Sequence, residues 1–164
     1  AAAAAGFVDA MSKQHGIKIE SPASLRAATL ESDVIVTCTT SHEPYLGPGD
    51  VRPGTFIAAV GADNPQKSEI DPDLMAQATV VTDILAQCAT MGDLHHAIRM
   101  GRMTPDAVHA ELGDLVTGRR CGRSNADEIT IFDSSGTGIQ DVAAAARAFE
   151  LAGERGLGTR FRLG

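Results

Sequence analysis

The stretch from Thr55 to Met75, TFIAAVGADNPQKSEIDPDLM, runs an apolar segment straight into Gly61-Ala62-Asp63 before any polar loop begins. A carboxylate just past a buried strand can point into the cleft beyond the strand end, and small residues there let backbone approach a flat ring closely. Asp in an Asx turn leading to the next element is the alternative, and spacing leaves both uses open. A second apolar stretch, SDVIVTCTTS, ends in Thr37, Thr39, Thr40 and Ser41, whose hydroxyls suit a ribose or a phosphate. Threonine is also simply a good strand residue. A third, EITIFDSS, delivers Ser134 and Ser135 and then Gly136-Thr137-Gly138 before an Ala-rich helix. Free N–H groups at a glycine-rich helix start favour an anion or a polarised amide, although a tight turn needs glycine without any ligand.

Other chemistry-bearing residues have plainer readings. His95 and His96 stand beside Asp93, and His109 lies close to Glu111. Adjacent histidines on a helix point about 100° apart, so they face one ion poorly and serve better as solvated or capping groups. Cys88 lies near the end of a candidate strand, where a buried, inert thiol is the ordinary expectation. Arg119, Arg120 and Arg123 make a basic knot in a loop that reads as solvent-facing.

Net charge is −7, from 21 acidic and 14 basic side chains. That field repels a polyanion and no basic stripe offsets it, which argues against nucleic acid as partner. Cys38, Cys88 and Cys121 are odd in number and lack C-x-x-C spacing, so neither a disulfide framework nor a zinc site is expected, and a reducing, cytoplasmic setting is implied. No apolar run reaches the length of a membrane span and the first residues lack the layout of a signal peptide.

The elements that must position these residues alternate. Residues 1–15 read as a helix already under way, closed by Gly16; IKIE reads as a short strand; and Ser24 to Leu30 reads as a helix. The Asp33, Thr55, Thr79 and Glu128 runs read as buried strands, with Asp71-Pro72 opening a helix that turns Leu74 and Met75 inward. Helices are expected near 86–100 and 104–117, and a long one over about 136–156. Such alternation implies α/β architecture: a Rossmann-like, doubly wound, mostly parallel sheet with helices on both faces, whose ligands sit outside the carboxyl ends of the strands. Yet no G-x-G-x-x-G or G-x-x-x-x-G-K-[ST] comes after any strand, so a self-contained dinucleotide site cannot be argued from the residues.

The segments SDVIVTCTTS, PGTFIAAVGADNPQKSEIDPDLMAQATVVTD and HAELGDLVTGRRCGRSNADEITIFDSSGTGIQDVAAAA resemble, in order and spacing, the C-terminal half of the ornithine cyclodeaminase and mu-crystallin family, over roughly residues 20–155. The resemblance implies that residues 1–164 are a partial Rossmann-type NAD(P) domain. Its first strands and glycine-rich turn would lie upstream of Ala1, and its last helix would pack toward an N-terminal substrate and dimerisation domain. It implies NAD or NADP as cofactor, an amino or imino acid as substrate, and a homodimer. Carried over by position, Asp63 matches the family's catalytic carboxylate, which also touches substrate. Thr37 or Thr39, Ile57, Ala58, Ala59, Val60, Lys67 and Ser134 match cofactor contacts, and Ser135 matches a substrate contact. Asp133 stands where lysine is frequent in the family. The implied chemistry is hydride exchange at the α-carbon of an amino acid through an imine, as an imine reductase or amino acid dehydrogenase. An ornithine cyclodeaminase and a non-catalytic small-ligand binder are the alternatives, and poor NAD affinity is expected of these 164 residues alone.

Overall fold

The computed structural model describes residues 2–159 and 161. Its centre is a five-stranded, all-parallel sheet. The strands are β1 (Val34–Thr37), β2 (Phe56–Ala59), β3 (Thr79–Thr82), β4 (Ala110–Glu111) and β5 (Thr130–Asp133), in spatial order β1-β2-β5-β3-β4. The helices are α1 (Ala2–His15), α2 (Leu25–Glu31), α3 (Pro72–Gln77), α4 (Leu85–Cys88), α5 (Asp93–Arg99), α6 (Leu112–Val116) and α7 (Gly138–Glu154).

Local sequence rules explain most element ends. Gly16 takes a left-handed conformation, and its N–H donates to the Ser12 carbonyl, closing α1. The Ser24 hydroxyl caps α2 by accepting from the Ala27 N–H, and the Asp71 carboxylate caps α3 with Pro72 in its first turn. Leu74 and Met75 then point inward, as their spacing requires.

Three expectations of local structure fail, and β1, expected to be buried, is open on one face, with Val34 61% and Val36 65% exposed. IKIE is not a strand: no strand lies beside it among the described residues, and β-branched propensity does not hold four residues extended without a partner. The expected helix over 86–100 is broken at Gly92, whose φ of 88° no helix continues through. The expected helix over 104–117 is a single 3₁₀ turn, Pro105–Ala107, followed by β4 and the short α6. Here the otherwise open edge of β3 recruits the chain, with the His109 N–H donating to the Val80 carbonyl, and pairing overrides local helix propensity.

The core lies on one side of the sheet, where Ile57, Ala59, Ile131 and Val80 meet Leu74, Met75, Leu94, Ala97 and Cys88 from the helices. The opposite side carries Val36, Ala58, Phe132 and Val81 in one cross-strand row. Cover thins along that row, from Val81 at 4% exposed to Val36 at 65%. β1 is the outer strand, pairing on one side only among the described residues, and α7 buries none of its side chains, leaving Ile139, Val142 and Phe149 in solvent. No helix among the described residues is long and apolar enough to cross a membrane.

Candidate functional site at the strand ends

Parallel registry ends four strands level with one another, with Thr37, Ala59, Asp133 and Thr82 in one row. The ladder then continues for one more rung, from the Val60 N–H to the Thr37 carbonyl and from the Ser134 N–H to the Ala59 carbonyl, so the loops depart together. A ligand at the carboxyl ends would therefore meet the residues just past this row.

Beyond β2, the loop from Gly61 to Glu69 carries Asp63 and Lys67. Their side chains form an ion pair of 2.9 Å, the lysine 18% exposed and the aspartate 59% exposed. The Asn64 amide also donates to the same oxygen of Asp63 at 3.1 Å. The Lys67 contact holds the Asp63 carboxyl below its ordinary value. Asp63 is thus an ionised group facing largely outward, and no hydrogen bond or ion pair joins it to the Ser134 turn among the described residues.

The loop is closed by Glu69, a fully buried side chain that sequence patterning does not single out. One of its oxygens accepts from the Thr39 N–H at 2.6 Å, the Thr39 hydroxyl at 2.7 Å and the Tyr45 hydroxyl at 3.0 Å. The other accepts from the Gly61 N–H at 3.0 Å. Burial pushes this carboxyl up, but the donors around it outweigh burial and hold it below the ordinary glutamate range. Gly61 is required there, because a Cβ would lie 2.5 Å from the carboxylate. The buried Thr37 hydroxyl has no hydrogen bond of good geometry among the described residues, although it lies near enough to Glu69 to favour its ionised form.

Within β2 the side chains alternate. Ile57 and Ala59 point into the core, so of the expected cofactor-lining segment only Ala58 and the following Val60 keep partly open side chains.

The Ser134 turn is organised by Asp83, at the end of β3. Its carboxylate accepts from the hydroxyls of Ser134 and Ser135, each at 3.0 Å, and from the N–H groups of Gly136 at 2.9 Å and Ile84 at 2.7 Å. Burial raises the Asp83 carboxyl, but these donors and the Cys88 thiol together hold it low. Two N–H groups just before this helix are already engaged: that of Gly136 is taken by Asp83, and that of Thr137 faces Gln140 in a capping box. Ser134 and Ser135 are both buried, with their hydroxyl hydrogens committed to the same carboxylate.

Two further buried carboxylates tie the strand ends together from below. Asp133 accepts from the N–H groups of Asp93 and Leu94 at the start of α5, and Asp93 accepts from those of Glu69 and Ile70 at 2.7 and 3.0 Å. Burial, reinforced by the neighbouring Asp93 charge, pushes Asp133 up to about 8, and burial pushes Asp93 up to about 6. Asp133 therefore faces the helix start and the interior, and Gly92 admits it: a Cβ on Gly92 would lie 3.0 Å from its carboxylate. Cys88 is buried against Asp83 and Asp133, and burial pushes its thiol up to about 12, far from a reactive thiolate.

Four of the remaining candidates have partners of their own. His95 hydrogen-bonds the Ala89 carbonyl and His96 the Lys67 carbonyl, their rings meeting edge to face at 5.3 Å. Arg119 pairs with Asp114 and Arg123 donates to the Gly54 carbonyl. Among the described residues no three His, Cys, Asp or Glu side chains gather as a metal site.

Set beside known proteins, residues 1–155 match the family model described as the ornithine cyclodeaminase/mu-crystallin family. Iminosuccinate reductase of Paracoccus denitrificans is 45% identical over 127 residues, which is 77% of this chain and 39% of that protein. The solved archaeal alanine dehydrogenase dimer with bound NAD superposes with a TM-score of 0.88 at 36% identity, covering 99% of this chain and 50% of its own. The Δ1-pyrroline-2-carboxylate reductase of Thermococcus litoralis, solved with NADH and L-proline, gives 0.87 at 34% identity, covering 95% of this chain and 49% of its own. The chain thus spans about half the length of the solved relatives it matches. By the extent of these matches, the chain belongs to the ornithine cyclodeaminase/mu-crystallin family.

Proposed function

We propose that this chain supplies the nicotinamide-facing half of an NAD-dependent enzyme that transfers hydride at the α-carbon of an amino or imino acid, an imine reductase or amino acid dehydrogenase. The observation that carries the reading is the Asp63–Lys67 pair on the loop leaving β2, at the carboxyl side of a parallel sheet. Kinship supports it too: the relatives above are named reductases and a dehydrogenase, and two were solved with NAD or NADH.

The residues fit one end of the cofactor. The small Ala58, the partly open Val60 and the basic Lys67 offer room for a flat ring, an apolar wall and a positive charge. No glycine-rich cradle for a pyrophosphate is present among the described residues, so tight NAD binding is not expected of this segment by itself. When bound, the nicotinamide supplies or accepts the hydride at the α-carbon.

Asp63 is the proton-handling group. Held ionised by Lys67, it is a weak base in open solvent; a cleft closing over it would strip that solvent and raise its basicity, letting it take a proton from a substrate ammonium or an attacking water. The exposed apolar residues of α7 suit packing against a substrate and dimerisation domain. In the whole protein, Asp63→Asn should lower turnover of NADH with an α-imino acid by roughly 100-fold or more while NADH binding, read by fluorescence, stays within about twofold. Unchanged turnover removes Asp63 from the mechanism.

A further inference from the structure

We propose that Glu69 is a positioning residue for Asp63, clasping the loop that carries the proton-handling group. The proposal rests on the functional reading above for its catalytic consequence, and on geometry alone for the clasp. Asp63 and Lys67 both ride on the loop between Gly61 and Glu69, and the loop's two ends are joined by the Glu69 carboxylate accepting from the Gly61 N–H. The same carboxylate fastens that closed loop to the end of β1 through the Thr39 N–H and hydroxyl.

The anchor is itself anchored. The Glu69 N–H donates to Asp93, the Ile70 N–H does likewise, and the Ser68 hydroxyl reaches the same oxygen at 3.3 Å. His96, one turn further along the same helix, holds the Lys67 carbonyl at 2.8 Å. The backbone at both Lys67 and Glu69 is therefore fixed from α5, and the direction in which Asp63 leaves the sheet is set at the Gly61 end by Glu69. Gly61 shows how close the fit is, since no side chain fits between its backbone and the carboxylate. Charge matters as well as shape. A carboxylate accepts from all of these donors at once, whereas an amide of the same shape must turn its NH₂ toward one set of N–H groups.

The test compares Glu69→Gln and Tyr45→Phe with the unaltered protein. In the whole protein with NADH and an α-imino acid, Glu69→Gln should lower kcat by roughly 10- to 100-fold, leave KM for NADH within about twofold and shift the acid limb of the pH profile, because Asp63 is re-aimed relative to Lys67. Tyr45→Phe removes one hydroxyl donor while leaving both backbone contacts, and should keep kcat within about twofold. Independently of turnover, a carbon-13 NMR titration of the Asp63 carboxyl in the whole protein should show its lowered value relaxing upward in Glu69→Gln as the Lys67 pair loosens. A wild-type titration of Asp63 in that variant overturns the clasp. So does a loss of kcat that merely tracks the fraction unfolded at the assay temperature. Full activity of Asp63→Asn is a different failure: it removes the functional reading, while the NMR result still decides whether Glu69 holds the loop.

Discussion

Replacing Gly61 by alanine probes the most crowded contact at the strand ends. A Cβ built there lies 2.5 Å from the carbon and both oxygens of the Glu69 carboxylate, so the carboxylate or the loop must shift. The backbone at Gly61 is not left-handed, so alanine adds no torsional strain, and it restricts the unfolded chain, a gain of about 0.4–1 kcal/mol. Against that stands the hydrogen bond from the Gly61 N–H to a charged acceptor, worth about 1.5–3 kcal/mol. The expected net loss is about 0.5–2.5 kcal/mol, a fall in Tm of roughly 1–10 °C for a chain of this size. The decisive assay is urea unfolding followed by circular dichroism in two backgrounds. In Glu69→Ala, which is itself destabilising, the obstruction is gone and Gly61→Ala should become neutral or stabilising by up to about 1 kcal/mol. An equal penalty in both backgrounds refutes the steric argument.

Stability should also fall as pH rises from about 5 to about 8. Asp133 is raised to about 8 and Asp93 to about 6, so across this window the folded chain holds protons that the unfolded chain has already released, and their stabilising contribution drains away with rising pH. Glu69 and Asp83 are lowered instead and act only below that window. Urea midpoints that do not fall, or that fall equally in Asp133→Asn, contradict this. Thiol labelling should find Cys38 and Cys121 fast and Cys88 protected until unfolding, given its burial and its thiol at about 12; rapid labelling of all three would show the β3–β5 junction to be open.

Features that depend on near neighbours are legible in the sequence. The caps at Ser24 and Asp71-Pro72 and the stop at Gly16 involve partners within a few residues, and the β1, β2, β3 and β5 runs announce themselves by apolar, β-branched composition. Asp63 and Lys67 stand four residues apart, and the structure pairs them on one loop. The buried carboxylates escape such reasoning because their partners are remote: Glu69 reaches back to Thr39, Asp83 forward to Ser135, and Asp133 back to Leu94. One signal for them does exist in the sequence. The residue just past a strand end is a candidate at every strand, and that rule singles out Asp83 as readily as Asp63, since Asp83 comes directly after TVVT. For Glu69 the hint is weaker, a glutamate embedded between Ser68 and Ile70 where the chain returns to the interior. β4 has no local signal, because a two-residue strand exists only by virtue of the edge it joins.

The outer strand β1 presents Val34-Ile35-Val36-Thr37, without charge or proline, and among the described residues one of its sides is unpaired. Sheets usually guard such a margin, because any extended segment of matching polarity can zip onto it. Handled by itself, this polypeptide should therefore add strands to its own copies as it is concentrated, which light scattering against concentration checks. A peptide or domain that laid one strand along Val34–Thr37 would cap that growth and keep the solution clear.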